Sequence, residues 1–470
     1  MSNRVPIIEG LISHQKREAV SWHVPGHKSS DLFPKDILQL EWDQTELPGL
    51  DDLHHPEGII AESIGLLEEL YGAPHSHFLV NGSTVGNWGM LAAVANRGDR
   101  IYVQRNSHKS VFNAMEWLGL EPVFLQPELG TDLAIGRHVS RETLTEAMER
   151  FPGGVAVFLT SPTYYGEAAK IEEIVEVTNE QGIPLLVDEA HGAHFNANFG
   201  QRSAFELGAT AVVQSAHKTL PALTMAAWMH DRFTEGQTRR LKHALQSFQS
   251  SSPSYLLLAS LDYARSYLAS LTESDWTEIR RSHERFHEEL RQIEGLEIFI
   301  YHDWTRFTLR YKAASGAALL EALSRNGIDA EFALHDHVVC LLPLAYLDDE
   351  TFIQYMGRVR LACDSLKENQ ANVCIEPPIK GKMKVSELEY PFDSMMDAEG
   401  TWVLLEDSVG CVTLETLIPY PPGIPLLFKG ERILAEHVEH IRYYLNVHAH
   451  IQGGERLVED MICVLKEGQL

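Results

Sequence analysis

IPLLVDEAHGAH (183–194) and AVVQSAHKTL (211–220) decide how this chain is read. Each opens as a short apolar run and ends in a polar cluster. A strand apolar at every position is covered on both faces, as in parallel sheets, and its carboxyl end is where an open α/β sheet places its ligand. The same alternation extends outward over about residues 60–230. IYV (101–103) reads as a strand, SVFNAMEWLG (110–119) as a helix closed by glycine, and EPVFLQ (121–126) as the next strand. VAVFLT (155–160) is then followed by a helix with Ile171, Ile174, Val175 and Thr178 on one face. These are βαβ units, so the expected fold class is α/β with a mostly parallel sheet and helices on both faces.

The chain has 470 residues, which predicts two or three packed domains. It has 44% hydrophobic and 22% charged residues, the composition of an ordinary globular protein. A formal charge of −27 disfavours nucleic acid and anionic membranes as partners. The five cysteines (Cys340, Cys363, Cys374, Cys411, Cys463) form no C-x-x-C pair, which fits a reducing, cytoplasmic setting. No stretch of eighteen apolar residues and no export signal is present, so neither membrane insertion nor secretion is expected. Boundaries are expected at 1–48 (an N-terminal arm), 49–275 (a large domain), 276–370 (a smaller α/β domain) and 371–470 (a C-terminal domain). Residues 370–390 read as a connector, and the prolines of YPPGIP (420–425) as a rigid loop.

Four polar sites fall at predicted strand ends. In FLVNGSTVGNWGMLAAVA (78–95) a helix start with Ser83 and Thr84 can cradle a phosphate monoester, or Ser83 and Thr84 can serve as a plain cap. Asp188 can pair with a protonated pyridine nitrogen, or cap a turn. Lys218, in QSAHKTLPALT (214–224), is a Schiff-base candidate because desolvation frees its amine, and Ser215 and His217 are placed to reach a phosphate. His108, in RNSHKSVFNA (105–114), can lie over a planar ring or cap its helix. The ordered set of phosphate turn, strand-end Asp and strand-end Lys is far more specific than any member alone, and together the four sites read as a pyridoxal phosphate site.

These motifs resemble the fold-type I, aspartate aminotransferase-like pyridoxal phosphate enzymes, and specifically the ornithine/lysine/arginine decarboxylases in their short form without the extra N-terminal wing domain. The resemblance is carried by HVPGHK (23–28), GLDDLHHPEGII (49–60), NGSTVGN (81–87), RNSHKSVFNA, SPTYYG (161–166), VDEAHGAH (187–194), QSAHK (214–218), SSPSYLLLASLD (251–262) and PYPPGIP (419–425). It implies pyridoxal 5'-phosphate attached to Lys218, Asp188 at the ring nitrogen, His108 stacked on the ring, and Ser83, Thr84, Ser215 and His217 near the phosphate. The activity it implies is α-decarboxylation of a basic amino acid (arginine, lysine or ornithine), with Lys218 or His217 returning a proton to Cα, in a homodimer or larger homo-oligomer with shared sites. Pro221 and Met225 stand where the family has small residues and a glutamine, and Ser161 where it has asparagine. No catalytic group is lost by these departures, which bear on the substrate.

The distal cation of such a substrate needs a carboxylate partner. Glu415 is one candidate, with a surface glutamate as the alternative, and Asp51 and Asp52 are the others. HERFH (283–287) matches the zinc-protease pattern H-E-x-x-H, but His283 shares a face with Trp276, Ile279, Phe286, Leu290 and Ile293, so it is expected to be packed. His437/His440 and His448/His450 are read as capping or solvated, and no metal is expected. Transamination or lyase chemistry on the same cofactor, or a non-catalytic protein that kept the fold, are the competing readings.

Overall fold

The computed structural model describes residues 2–17, 41–130, 133, 136–196, 201–312, 314–367, 384–419, 423–446 and 450–466. HVPGHK, most of the 370–390 stretch, and residues 420–422 and 448 lie outside the described residues. The chain forms two compact units, Met1–Ala95 with Ile171–Ser274, and Asn96–Lys170 with Asp275–Leu470.

In the first unit the strands Leu185–Asp188 and Ala211–Gln214 run parallel, with Asp188 opposite Val213. All eight residues are buried, which explains the unbroken apolar runs. Ala227–Asp231 then returns antiparallel to Ala211–Gln214, and His75–Leu79 pairs antiparallel with it. The sheet of this unit is therefore mixed at its His75–Leu79 side. Helix Gly82–Val94 packs on these strands. A Cβ at position 86 would overlap Val213 Cγ2 and lie 2.9 Å from Leu79 Cδ1, so only glycine lets the helix approach this closely. Helix Ile59–Tyr71 starts at Gly58, which has no side chain to cap it. Asp51 does so instead: Oδ2 accepts the backbone N–H groups of Gly58, Ile60 and Ala61, and Oδ1 those of Asp52 and Glu57. Helix Pro6–Gln15, from the predicted arm, packs on the first unit with Ile7 and Leu11 buried and the Ile7 N–H donated to Asp262.

In the second unit Gly154–Thr160, Arg100–Gln104 and Glu121–Leu125 form a parallel run. Helix Lys109–Leu118 ends at Gly119 in the left-handed conformation, as the sequence predicts. Val385–Glu387, read as part of a connector, instead pairs antiparallel with Glu121–Leu125. The reason is Val385, an isolated apolar residue whose burial needs a partner that sequence spacing does not reveal. An antiparallel sheet in the order Phe332–Leu334, His337–Leu341, Arg306–Tyr311, Leu296–Phe299 shares a core with helices Glu273–Leu290, Gly316–Arg325 and Asp349–Lys367. A separate cluster of Leu405, Leu417, Leu427, Ile441 and Ile462 holds the C-terminal segment. His283 is fully buried against Trp304 and its Nε2–H donates to Ala345 O, the packed role expected for HERFH. No described helix is long and apolar enough to cross a membrane.

Two outcomes follow from this packing. Gly86→Ala should lower stability by about 1–3 kcal/mol through overpacking, read as a lower urea midpoint. For Asp51, burial pushes the carboxyl up but the amides of Glu57, Gly58, Ala61 and Asp52 prevail, leaving its pKa below the ordinary value. A folded pKa below the unfolded one stabilises above the unfolded value and ceases to as pH falls through the folded one. Asp51→Asn should thus cost about 1 kcal/mol at neutral pH. The gap to wild type should close as pH falls below about 4.

Candidate functional site

The first unit brings Asp188, Ser215, His217, Lys218, Ser83 and Thr84 onto three neighbouring elements. Asp188 ends its strand, is 2% exposed, and has both carboxylate oxygens fixed: Oδ2 accepts Asn87 Nδ2–H at 2.9 Å and Oδ1 accepts the Ala190 N–H at 3.1 Å. Ser215 follows the next strand, and Lys218 sits in the short helix Ala216–Thr219 with its N–H donated to Ser215 O. Lys218 Nζ lies 3.3 Å from His191 Nε2. His217 Nδ1 is 3.0 Å from Ala226 O and so carries the proton, which leaves Nε2 as an acceptor in the neutral ring. Burial, then the Lys218 charge, lower the pKa of His217 and favour that neutral form.

Helix Gly82–Val94 opens without a side-chain cap. The Gly82 N–H is taken by Met225 O at 2.8 Å, so the Ser83 and Thr84 amides are those that face an anion at the helix start. Ser83 is half-buried and Thr84 exposed. Ser215 Oγ and Thr219 Oγ1 are buried without a hydrogen-bond partner among the described residues. A buried orphan hydroxyl beside an uncapped helix start and a lysine is a donor set that suits a phosphate monoester carrying an aldehyde.

Three polar residues of this unit escaped the sequence reading. Asn87 is completely buried in helix Gly82–Val94, one turn before the buried Met90, and its signal was a polar side chain inside an otherwise apolar run. His191 lies three residues past Asp188, inside a motif already quoted. Glu189 is 1% exposed and accepts Ala204 N–H and Gln214 Nε2–H, and burial pushes its pKa up to about 8.

The remaining sequence candidates are placed as follows. His108, in the second unit, is the N-cap of Lys109–Leu118 and accepts the Ser110 N–H. Ser161 Oγ accepts the Ala169 N–H at 3.0 Å. Glu415, also in the second unit, spends both oxygens on backbone amides, those of Glu455 (3.0 Å) and Cys463 (2.7 Å). Asp51 spends Oδ2 on its helix start and Oδ1 on the amides of Asp52 and Glu57, and Asp52 gives one oxygen to the His54 N–H.

Comparison with known proteins gives this geometry its context. The sequence matches the Orn/Lys/Arg decarboxylase major domain over residues 5–309 and the C-terminal domain of the same family over 379–453. It is 38% identical to the uncharacterized protein YaaO of Bacillus subtilis, over 98% of each chain. To an arginine decarboxylase of Halalkalibacterium halodurans it is 30% identical, over 99% of this chain and 98% of the other. The fold matches that of the lysine decarboxylase LdcF of Francisella novicida with a TM-score of 0.82, at 17% identity, over 99% of this chain and 82% of that one. The fold is that of the fold-type I pyridoxal phosphate enzymes, and with its major and C-terminal domains both matched, the chain belongs to the Orn/Lys/Arg decarboxylase family.

Proposed function

We propose that the protein removes the α-carboxyl group of a basic amino acid, arginine, lysine or ornithine, as CO2, leaving the corresponding amine. The observation that carries this reading is the strand-end pair in the first unit: Asp188 held by Asn87 and Ala190, and Lys218 beside His191. Ser83, Thr84 and Ser215 would hold the phosphate of pyridoxal 5'-phosphate, Asp188 its ring nitrogen and Lys218 its aldehyde carbon. When bound, that cofactor supplies an electron sink for the pair left on Cα as CO2 departs.

The chain's own groups do the rest. Asp188, anchored through both oxygens, would keep a proton on the ring nitrogen of that cofactor, and its burial would make that charge interaction strong. Lys218 serves as the displaced amine and, with His217 as the alternative, as the donor of the proton that replaces the carboxyl group on Cα. His191 orients the Lys218 ammonium. Of the three acids considered for the distal cation of the substrate, Asp52 keeps the most unspent carboxylate. Assembly into at least a homodimer belongs to the same reading. Transamination is disfavoured by family membership.

Purified, cofactor-loaded protein incubated separately with arginine, lysine and ornithine should release CO2 with agmatine, cadaverine or putrescine from at least one; no CO2 from any of the three refutes the proposal. Lys218→Ala should lower kcat by at least ~10³-fold, the scale of losing a covalent catalytic group. Asp188→Asn should cost about 10²–10³-fold, as for loss of one preorganised charge partner. Both should keep the wild-type circular dichroism. Ser215→Ala removes a hydroxyl with no partner among the described residues, so stability should change by less than about 0.5 kcal/mol. Its affinity for pyridoxal phosphate should nevertheless fall about tenfold, the value of one hydrogen bond to a charged group.

A further inference from the structure

The second unit holds a cavity of about 500 Å³ whose lining residues all belong to that unit. That is ample room for a small organic ligand. None of the residues assigned above to cofactor or substrate lines it.

Tyr165 is the first indication of a ligand. It lines the cavity, is only 7% exposed, and its phenolic oxygen has no hydrogen-bond partner among the described residues. The oxygen itself is not sealed in the protein, so it opens on the cavity, where a polar guest can bond it. Burial, then the neighbouring Tyr444 and Tyr301, drive its pKa up, and burial takes Tyr444 up to about 12, so both phenols stay neutral donors and acceptors. Tyr444 also lines the cavity.

The second indication is the balance of charge. Among the lining residues, Arg105 is taken by Glu431 at 2.9 Å and Arg432 by Glu389 at 2.6 Å. Glu387 has Arg100 at 3.7 Å. Glu436, half-buried in the first turn of helix Ala435–Asn446, has no cation within salt-bridge distance among the described residues. The adjacent His437 cannot neutralise it: burial, then Arg105, lower its pKa to about 4. A wall of tyrosine faces with one unmatched carboxylate attracts a positive nitrogen through both the ring quadrupole and the charge.

We propose that this cavity binds an aliphatic ammonium or guanidinium cation, with Glu436 as its counter-ion, the hydroxyls of Tyr165 and Tyr444 as hydrogen-bond partners, and their rings as its walls. The inference stands on the cavity alone and does not rest on the decarboxylase reading. The test is calorimetric titration of the full-length, cofactor-loaded Lys218→Ala protein, in which turnover contributes no heat, with agmatine, 1,5-diaminopentane and, as an anion of similar length, glutarate. Agmatine or 1,5-diaminopentane should bind saturably while glutarate does not. Glu436→Gln and Tyr444→Phe, partly exposed positions at which folding is not at stake, should each weaken that binding by tenfold or more, as should Tyr165→Phe with an unchanged unfolding midpoint. Absence of binding by both cations at millimolar concentration overturns the proposal. So does binding that Glu436→Gln and Tyr444→Phe leave unchanged, or glutarate binding of equal strength.

Discussion

The first unit depends on how closely helix Gly82–Val94 lies against the strand Ala211–Gln214. The missing side chain at Gly86 sets that distance, because any Cβ there would meet Val213. The next residue, Asn87, is thereby carried deep enough to donate to Asp188. The same approach fixes where the uncapped helix start stands relative to Ser215 and Lys218. A steric constraint of one residue therefore positions a carboxylate, an uncapped helix end and a lysine together, and none of these groups has a reason to converge without it.

Around that contact the polar groups are arranged in layers of decreasing freedom. Asp188 is held on both oxygens, and behind it Glu189 binds the Ala204 amide and Gln214, which in turn accepts from Trp228 Nε1. Gln214 Nε2 also reaches Gly192 O, so the loop that presents His191 to Lys218 is tied at both ends. Buried networks of this kind are costly when incomplete and rigid when satisfied. Ser215 Oγ and Thr219 Oγ1, beside the lysine, have no hydrogen-bond partner among the described residues, and neither has His230 Nε2 on the strand Ala227–Asp231.

Much of this was legible in the sequence because strand ends are. IPLLVD and AVVQS announce buried strands, and the polar residue that terminates each run must lie at the sheet's edge, so Asp188 and Lys218 could be placed from spacing alone. Glycine after SVFNAMEWL marked the helix end for a local steric reason. What escaped was set by long-range contact. Asp51 looked like a free acid because the helix start it caps begins seven residues later with a glycine. Glu415 looked free because the two amides that occupy it, Glu455 and Cys463, lie some forty residues or more away in the chain. Val385 reads as linker until Leu125 is seen opposite it. No local pattern encodes such pairings.

Met225 adopts a left-handed φ of 77°, an uncommon conformation for a residue with a side chain, and its carbonyl is the acceptor for the Gly82 N–H. That one bond clasps the loop following Lys218 to the turn that opens the helix Gly82–Val94. Two segments far apart in sequence are thus joined by the chain's own hydrogen bond, and the strain of about 1–3 kcal/mol that such a residue carries is met during folding. Under the proposed function the site would be preorganised in the entropic sense: a phosphate bound there would have little chain left to immobilise, so its interactions would count toward affinity instead of toward ordering the loop.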